Sequence, residues 1–457
     1  MSEICEVIVD GEIHEAKEGS LLIDLLIEEG VKIPYFCYHE SLGADGNCRM
    51  CMVGIKGEKR PQIACDTLIK KDMEVFSNTD VIKKVRTDIL ELELLNHPVD
   101  CPICDQAGEC SLQDFYMDYG LHESKVEIED KVKNSKHVDL GSSVVLDQER
   151  CVLCARCTRF TTEITHTNEL GIVGRGDSAK VTTMPGRELS NPYAMNVVDL
   201  CPVGALTSKD FRFSQRVWLL ETHNSICHGC AKGCNIYIDH NKLKYKDDVI
   251  YRFRPRKNLE VNGHFICDEG RLSYKDVQEN RQEFSTFNHI EVEQDIAISK
   301  FKNFLEQHHK NIHILIDANL YTEEIEAILE FAKSIKAEVF SPLEVYTDEG
   351  FADDMLKCSN RASNYKTIEN LNISTENPNN SELIINFNHP QNFESLMQID
   401  FCTHKSDTNS LVFAIAAFTE NEGSLTNVDG ITQQTQKAVK KNNPQPSIIE
   451  WLTRIDL

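Results

Sequence analysis

Sixteen of the chain's 18 cysteines lie before residue 268, and most fall in tight groups whose spacing suits metal ligation. The first group, Cys37, Cys48, Cys51 and Cys65, is spaced C-x10-C-x2-C-x13-C, and four thiolates in that order suit a two-iron cluster. Between its first two members, Gly43, Ala44, Asp45, Gly46 and Asn47 are small enough to bend round a cluster and offer backbone N–H groups to sulfur. A structural zinc also accepts four cysteines, but zinc more often uses two close pairs than one pair with two outliers.

The second group is His97, Cys101, Cys104 and Cys110, spaced H-x3-C-x2-C-x5-C. Three cysteines leave one iron of a four-iron cubane without a protein ligand, and the imidazole just upstream completes the set. The competing reading makes His97 an ordinary turn residue before Pro98; its place at the mouth of a three-cysteine loop favours ligation. The third group joins Cys151, Cys154 and Cys157 to a remote Cys201 followed by Pro202, the split ligation pattern of bacterial ferredoxins. The fourth, Cys227, Cys230, Cys234 and Cys267, is spaced C-x2-C-x3-C-x32-C and reads as a further four-iron set, with zinc a stronger competitor here. The expected complement is one 2Fe-2S cluster and three 4Fe-4S clusters. Cys5, Cys358 and Cys402 remain as buried core thiols. Arg156, Arg159, Arg175 and Arg187 cluster near the third set, where they either offset the charge of thiolate-bound clusters or form a solvated face.

The elements that must position these groups are legible in part. Val7-Ile8-Val9, Asp10-Gly11 and Glu12-Ile13-His14 read as a hairpin with a primed two-residue turn. A short helix should follow, capped by Ser20, with Leu21 to Ile27 as its apolar body and Gly30 as its stop. From Asp80 a second helix puts Val81, Val85, Ile89, Leu92 and Leu95 on one stripe and ends before Pro98. Residues 123–143 read as a charged connection. Beyond residue 275 the texture changes. Ile312 to Ile316, Leu383 to Phe387 and Leu411 to Phe418 read as buried strands, Thr322 to Lys336 as an amphipathic helix, and 360–381 as a long loop. Strands alternating with helices predict an α/β layer with a parallel sheet. The fold class is therefore α+β multidomain. The expected units are a β-grasp two-iron ferredoxin domain (1–79), a histidine/cysteine cluster segment (80–145), a bacterial-ferredoxin-like four-iron domain (146–215), a small cluster domain (216–275) and a truncated α/β domain (276–457).

Charge and composition exclude other functions. A formal net charge of -25 disfavours nucleic acid and anionic lipid as partners. The longest aliphatic run, Leu411 to Phe418, falls well short of the ~20 apolar residues of a membrane span, so no direct membrane insertion is expected. The start, Met1-Ser2-Glu3-Ile4, has no basic segment followed by an apolar one, which makes cytoplasmic the expected localisation and metal ligation the expected use of the thiols. No G-x-G-x-x-G follows an expected strand and no P-loop is present, so this chain has no complete active site and no catalytic residue is assigned.

The order and spacing of the first three sets, with Cys151-Val-Leu-Cys154-Ala-Arg-Cys157-Thr-Arg-Phe160 running on through Glu163-Ile164, Glu169-Leu170-Gly171 and Gly174-Arg175-Gly176, resemble the G-type large iron-sulfur subunit of respiratory complex I, the NADH:quinone oxidoreductase, over roughly residues 1–275. The resemblance implies an oxidoreductase subunit passing single electrons from a flavin-bearing iron-sulfur partner toward an acceptor subunit and quinone, held peripherally on the inner face of the cell membrane by the complex. The fourth set with Gly270-Arg271, and Phe418-Thr-Glu-Asn-Glu-Gly423-Ser-Leu-Thr-Asn427-Val-Asp-Gly430, are similar to molybdopterin oxidoreductases. Two departures, a C-terminal part of only ~180 residues and Glu269 where pterin enzymes usually place a lysine, imply a shrunken scaffold with no molybdopterin. The nearest rival is a diaphorase-type subunit of an NAD-linked hydrogenase or formate dehydrogenase, which shares the first three sets. A zinc-stabilised scaffold would keep the cysteines without colour.

Overall fold

The protein is described from a computed structural model covering residues 3–141, 143–308, 311–391, 397–406 and 410–455. It divides into two units, Met1–Leu219 and Leu220–Leu457.

In the first unit, β1 (Ile4–Val9) and β2 (Glu12–Lys17) form the expected hairpin, with Val9 opposite Glu12. Asp10 and Gly11 both take positive φ, as a primed turn requires. Helix α1 (Leu22–Glu28) buries Leu22, Ile23, Leu25 and Leu26 against the sheet. Ser20 is not its cap: its hydroxyl donates to the Lys17 carbonyl, and Leu21 occupies the N-cap with no side-chain bond. Strands β3 (Met52–Ile55), β4 (Gln62–Ile63) and β5 (Met73–Phe76) complete a five-stranded sheet in the order β2-β1-β5-β3-β4, with β1 and β5 parallel.

Helix α2 (Asp80–Leu94) starts on Thr79, whose hydroxyl accepts from Ile82 N. Its inner face is not the expected stripe. Val81 and Leu92 are exposed, while Ile82, Arg86, Leu90 and Glu91 are buried. Arg86 reaches inward to donate to the Met52 carbonyl (2.8 Å) and the Tyr119 hydroxyl (3.1 Å), so its burial on the inner face is matched by two hydrogen bonds. After α3 (Ser111–Tyr119) the chain is largely irregular until β6 (Val138–Asp139) and β7 (Val144–Leu146). A short α4 (Arg156–Arg159) continues into one wider turn, Phe160–Ile164. The hairpin β8 (Leu170–Val173) and β9 (Lys180–Thr183), helix α5 (Asn196–Leu200) and β10 (Leu206–Ser208) follow, with β10 pairing on β7.

The second unit begins with an antiparallel meander, β11 (Glu221–Ile226), β12 (Asn235–Lys242) and β13 (Asp248–Pro255). Short helices α6 (Asp268–Leu272) and α7 (Tyr274–Gln278) lead to the α/β part. There β14 (Thr286–Phe287), β15 (Ile290–Glu291), α8 (Gln294–Gln307), β16 (Ile312–Ile316), α9 (Thr322–Ile335), β17 (Glu338–Phe340), α10 (Tyr365–Asn370), β18 (Leu383–Phe387), β19 (Met397–Cys402) and β20 (Leu411–Ala414) build a seven-stranded sheet in the order β15-β14-β20-β19-β18-β16-β17. Neighbours from β20 to β17 are parallel. The expected loop at 360–381 contains α10. A small hairpin, β21 (Ser424–Thr426) with β22 (Thr432–Gln434), and α11 (Ile448–Ile455) close the chain.

The parallel register sets Phe387 beside Phe401 and Phe401 beside Phe413, and the rings stack at 4.6 and 4.4 Å. Trp451 caps this ladder edge-on at 4.9 Å from Phe413 and donates its indole N–H to the Ala414 carbonyl. Trp451 is fully buried, so Trp451→Ala leaves a ring-sized void and an unpaired carbonyl. We expect a loss of about 3–5 kcal/mol, read as a lower urea midpoint for the second unit. Among the described residues, no helix is long and apolar enough to cross a membrane.

Candidate metal centres

The first set is assembled by the loop after α1 and by β3 and the turn after β4. Cys37, Cys48, Cys51 and Cys65 are all buried and within thiol hydrogen-bonding reach of one another: Cys37 takes bonds from Cys48 and Cys65, and Cys51 one from Cys65. Those bonds hold Cys37 and Cys51 below the ordinary thiol range, while the same bonds, with burial, push Cys48 and Cys65 up. Backbone N–H groups also aim at the sulfurs, from Gly46 to Cys37, from Phe36 (3.4 Å) and Met50 to Cys48, and from Ala64 to Cys51. Gly46 holds φ +73, so the small residues do bend the loop.

The third set surrounds a narrow apolar cleft. Cys151, Cys154, Cys157 and Cys201 line it together with Leu146, Val152, Val181, Val203 and Leu206. Leu153 and Ala155 both take left-handed φ, which curls the C-x2-C-x2-C loop and turns successive N–H groups inward. Leu153 N–H faces Cys151, Arg156 N–H faces Cys154, and Val203, Ala205 and Leu206 all face Cys201. Burial, together with the neighbouring Cys201, pushes the Cys154 thiol up to about 12, and burial raises the other three. Four such thiols ionise together only beside a strong positive charge, which a cluster core supplies.

In the second set, Cys110 stands at the N-terminus of α3, where the N–H groups of Leu112 and Gln113 point at its sulfur. Arg150 is buried, forks onto Asp100 at 2.9 and 2.8 Å, and its charge is felt at both Cys104 and His97. Burial holds the His97 imidazole down at about 4, neutral as a ligand must be. Val99 N–H donates to His97 Nδ1 at 3.0 Å, which puts the ring proton on Nε2. Ligation through either nitrogen therefore costs this bond: Nδ1 would exchange Val99 for iron, and Nε2 would require the other tautomer.

The arginines after the third set are not a uniform solvated face. Arg156 is buried and donates to the carbonyls of Tyr38 and Leu200. Arg159 donates to Leu42 (3.1 Å), Gly43 (3.2 Å) and Cys37 (2.6 Å). Both side chains thus bind the loop of the first set to the helix of the third, and Asn47 adds a bond to the Leu153 carbonyl (3.2 Å). The charge of Cys37 is felt at Cys154. The third set also meets the second. Ser111 N–H donates to the Pro202 carbonyl (2.8 Å), and the charge of Cys201 is felt at Cys110. Arg187 lies elsewhere, bonding the Thr167 carbonyl, and Arg175 stays exposed.

The fourth set belongs to the second unit. Cys227, Cys230 and Cys234 sit between β11 and β12, and Cys267 caps α6, with its sulfur accepting from Gly270 N–H at 3.3 Å. Cys227 takes Gly229 N–H at 3.4 Å. Gly270 is obligatory here, because a Cβ would lie 2.9 Å from the Cys227 sulfur. Two residues the sequence reading missed join this set. Cys358 is not an isolated core thiol: it donates to Cys230 and holds it down to about 6. Arg361 donates to the Gly229 carbonyl (2.6 Å), and its charge reaches Cys227 and Cys230. No spacing rule connects either one to Cys267. Cys5 is a buried core thiol as expected, and Cys402 ends β19 half-buried.

Next to the fourth set, a cleft of about 410 Å³ opens at the carboxyl ends of the parallel strands. Glu269, Asp276, Asp317 and Glu324 line it against Arg281 and Arg361, and Arg361 already pairs with Glu269. Burial pushes Glu324 up to about 7 and raises Asp317.

Thiol-rich sets dressed with backbone N–H donors are the class of site that iron–sulfur proteins use. Comparison with known families agrees. Residues 4–80 match a 2Fe-2S iron-sulfur cluster binding domain, 86–125 the NADH-ubiquinone oxidoreductase-G iron-sulfur binding region, 141–207 the ferredoxin-like domain of NADH-quinone oxidoreductase subunit 3, and 220–279 the molybdopterin oxidoreductase Fe4S4 domain. Over much of its length the chain is similar to G-type subunits of NADH-quinone oxidoreductase. It is 36% identical to the NADH-ubiquinone oxidoreductase 75 kDa subunit of Reclinomonas americana over 79% of this chain and 52% of that protein. It is 38% identical to the G-type subunit of the NADH-quinone oxidoreductase of Rickettsia felis over 60% of this chain and 40% of that protein. The chain thus spans about half or less of the length of these relatives. A solved NAD+-reducing [NiFe]-hydrogenase chain is 26% identical over 47% of this chain and 91% of that one, with a TM-score of 0.41, too partial a likeness to bear on the fold.

Proposed function

We propose that the chain is the electron-transfer subunit of an NADH:quinone oxidoreductase, positioned between a flavin-bearing iron-sulfur donor subunit and an acceptor subunit leading to quinone, on the inner face of the cell membrane. Cys37, Cys48, Cys51 and Cys65 would hold a 2Fe-2S cluster in a β-grasp ferredoxin domain. His97, Cys101, Cys104 and Cys110, then Cys151, Cys154, Cys157 and Cys201, then Cys227, Cys230, Cys234 and Cys267 would each hold a 4Fe-4S cluster. The domain limits follow these sets, at 1–79, 80–145, 146–215, 216–275 and 276–457. When bound, such clusters exchange one electron at a time without acid-base chemistry. The protein's own part is to fix their separation and tune their surroundings.

The observation that carries this reading is the adjacency of the first three sets. The third is tied to the first by Arg156 and Arg159 and to the second by the Pro202–Ser111 bond. A zinc scaffold gains nothing from three adjacent sets with shared ties, whereas a conductor needs them. Low-temperature EPR of the reduced chain tests it, with one two-iron and three four-iron signals expected. A colourless, iron-free chain after anaerobic reconstitution would end this reading.

The cleft beside the fourth set does not suit a molybdopterin. Its four carboxylates outnumber its two arginines, both already paired, Arg361 with Glu269 and Arg281 with Glu420, which disfavours a pterin phosphate there. We therefore assign it no molybdenum.

For the second set, His97→Cys replaces a neutral ligand by a charged one, which disfavours adding an electron. The expected result is a lower midpoint potential for that cluster alone in a redox titration, and an unchanged value would argue against ligation by His97.

A further inference from the structure

One cluster of ligating side chains lies outside all four thiol sets, on the meander that opens the second unit. Strand pairing sets Glu221 opposite His240, and His223 two residues along the same face of β11. The opposite face of the same strands carries a separate network, in which Thr222, Arg252 and Arg254 all bind Asp239. The irregularity between Asp239 and His240 breaks the β12–β13 register there, so that His240 pairs with Ile250 and Tyr251 is skipped. Bulges of this kind re-aim a side chain. His240 is buried, and its Nδ1 lies 2.9 Å from both oxygens of the buried Asp248 carboxylate.

That contact fixes the chemistry of the ring. A carboxylate accepts, so His240 Nδ1 carries the proton and Nε2 presents a bare lone pair. The lone pair points at His223 Nδ1, 2.8 Å away, and the ligand atoms of Glu221, His223 and His240 all lie within 4.8 Å of one another. A carboxylate behind a histidine, with the far nitrogen free, is the support that metal-ligating imidazoles receive. Asp248 is itself held by Lys440 N–H at 3.1 Å.

We infer that Glu221, His223 and His240 form a zinc-class divalent metal site, with Asp248 as the positioning residue and water completing the coordination. Two imidazoles and one carboxylate are a donor set for Zn²⁺ rather than for Ca²⁺ or Mg²⁺, which take oxygen ligands. At Zn–N distances of about 2.0–2.1 Å the two nitrogens of a tetrahedral site stand about 3.3 Å apart, so the rings part by about half an ångström. His223 moves its proton from Nδ1 to Nε2, and no net proton is released. Glu221 is more than half exposed and lies 3.6 Å from the Lys440 ammonium, which it must leave. The ligands come from two strands and their support from a third, so the ion clasps the meander at the end away from Cys227.

The test uses the full chain with its clusters assembled, loaded with zinc chloride and passed through a desalting column. One zinc per chain is expected, with a nitrogen and oxygen shell near 2.0–2.1 Å in X-ray absorption and no sulfur near 2.3 Å. His223→Ala should weaken binding at least tenfold, and Glu221→Gln, a surface change that leaves the His240–Asp248 pair intact, several-fold. Iron content should stay constant in both variants. No retained zinc at micromolar concentration, a sulfur shell, or equal affinity in Glu221→Gln would each overturn the assignment.

Discussion

Cys201→Ala is expected to remove about four iron atoms per chain and the EPR signal of one four-iron cluster, since each cubane holds about four irons on four protein ligands. The physical cause lies in the cleft that the third set encloses. Its walls are apolar, and burial raises all four thiols, so three remaining thiolates cannot gather there around a weakly held core. Cys201 also receives three backbone N–H groups, from Val203, Ala205 and Leu206, which stay aimed at a site with no sulfur. Metal binding free energy is folding free energy where ligands come from distant segments, and Cys201 joins α5 to the loop at 151–157. The variant should therefore also melt at lower temperature. Under the proposed function, a complex containing it should lose NADH-to-quinone electron transfer, because the third set is tied to both the first and the second. Retention of full iron and all signals would show that Cys201 is not a ligand.

Much of this was legible in the sequence, and what was missed has a pattern. The Asp10-Gly11 turn and the crowded Cys151–Cys157 loop are local features, set by residues that touch along the chain. The inner face of α2 was misread because Arg86 is buried by two hydrogen bonds to residues more than thirty positions away, and an apolar count scores arginine as surface. The polar stretch 360–381 reads as loop, yet it holds α10, preceded by the fully buried Asn364. That side chain donates to the Leu320 carbonyl (2.8 Å) and accepts from Thr426 N–H (2.7 Å). Arg361 reaches the fourth set from this same stretch, and Cys358 from just before it. Polar residues buried by long-range bonds carry no periodic signal, and the residues that tie one set to another are of that kind. Arg156 and Arg159 were visible as a basic cluster, but only the fold shows that they grip the carbonyls of a different set's loop.

Gly204→Ala is the sharper test of how the second and third sets meet. Gly204 lies three residues beyond Cys201, and a Cβ built there would stand 2.2 Å from the Cys104 sulfur and 3.1 Å from the Gln106 Cβ. Real Cβ contacts do not come that close, so either the loop after Cys201 lifts or Cys104 withdraws. The loop is the stiffer partner: the Val203, Ala205 and Leu206 N–H groups all aim at Cys201, and Pro202 accepts from Ser111. Cys104 is held by the Gln106 N–H and by the short turn at Cys101–Ile103, so it should be the one to yield. One methyl group on the third set's loop should then abolish the second set's cluster, with a cost of about 1–3 kcal/mol from overpacking. The expected readout is selective: the signal of the His97 set disappears, that of the Cys201 set persists, and iron falls by about four. Gly350→Ala, whose nearest neighbour is the Asp348 carboxylate at 3.4 Å, serves as the control and should retain every signal. If Gly204→Ala keeps the second cluster intact, Cys104 does not hold iron where it stands, and the adjacency on which the proposed conduction order rests fails with it.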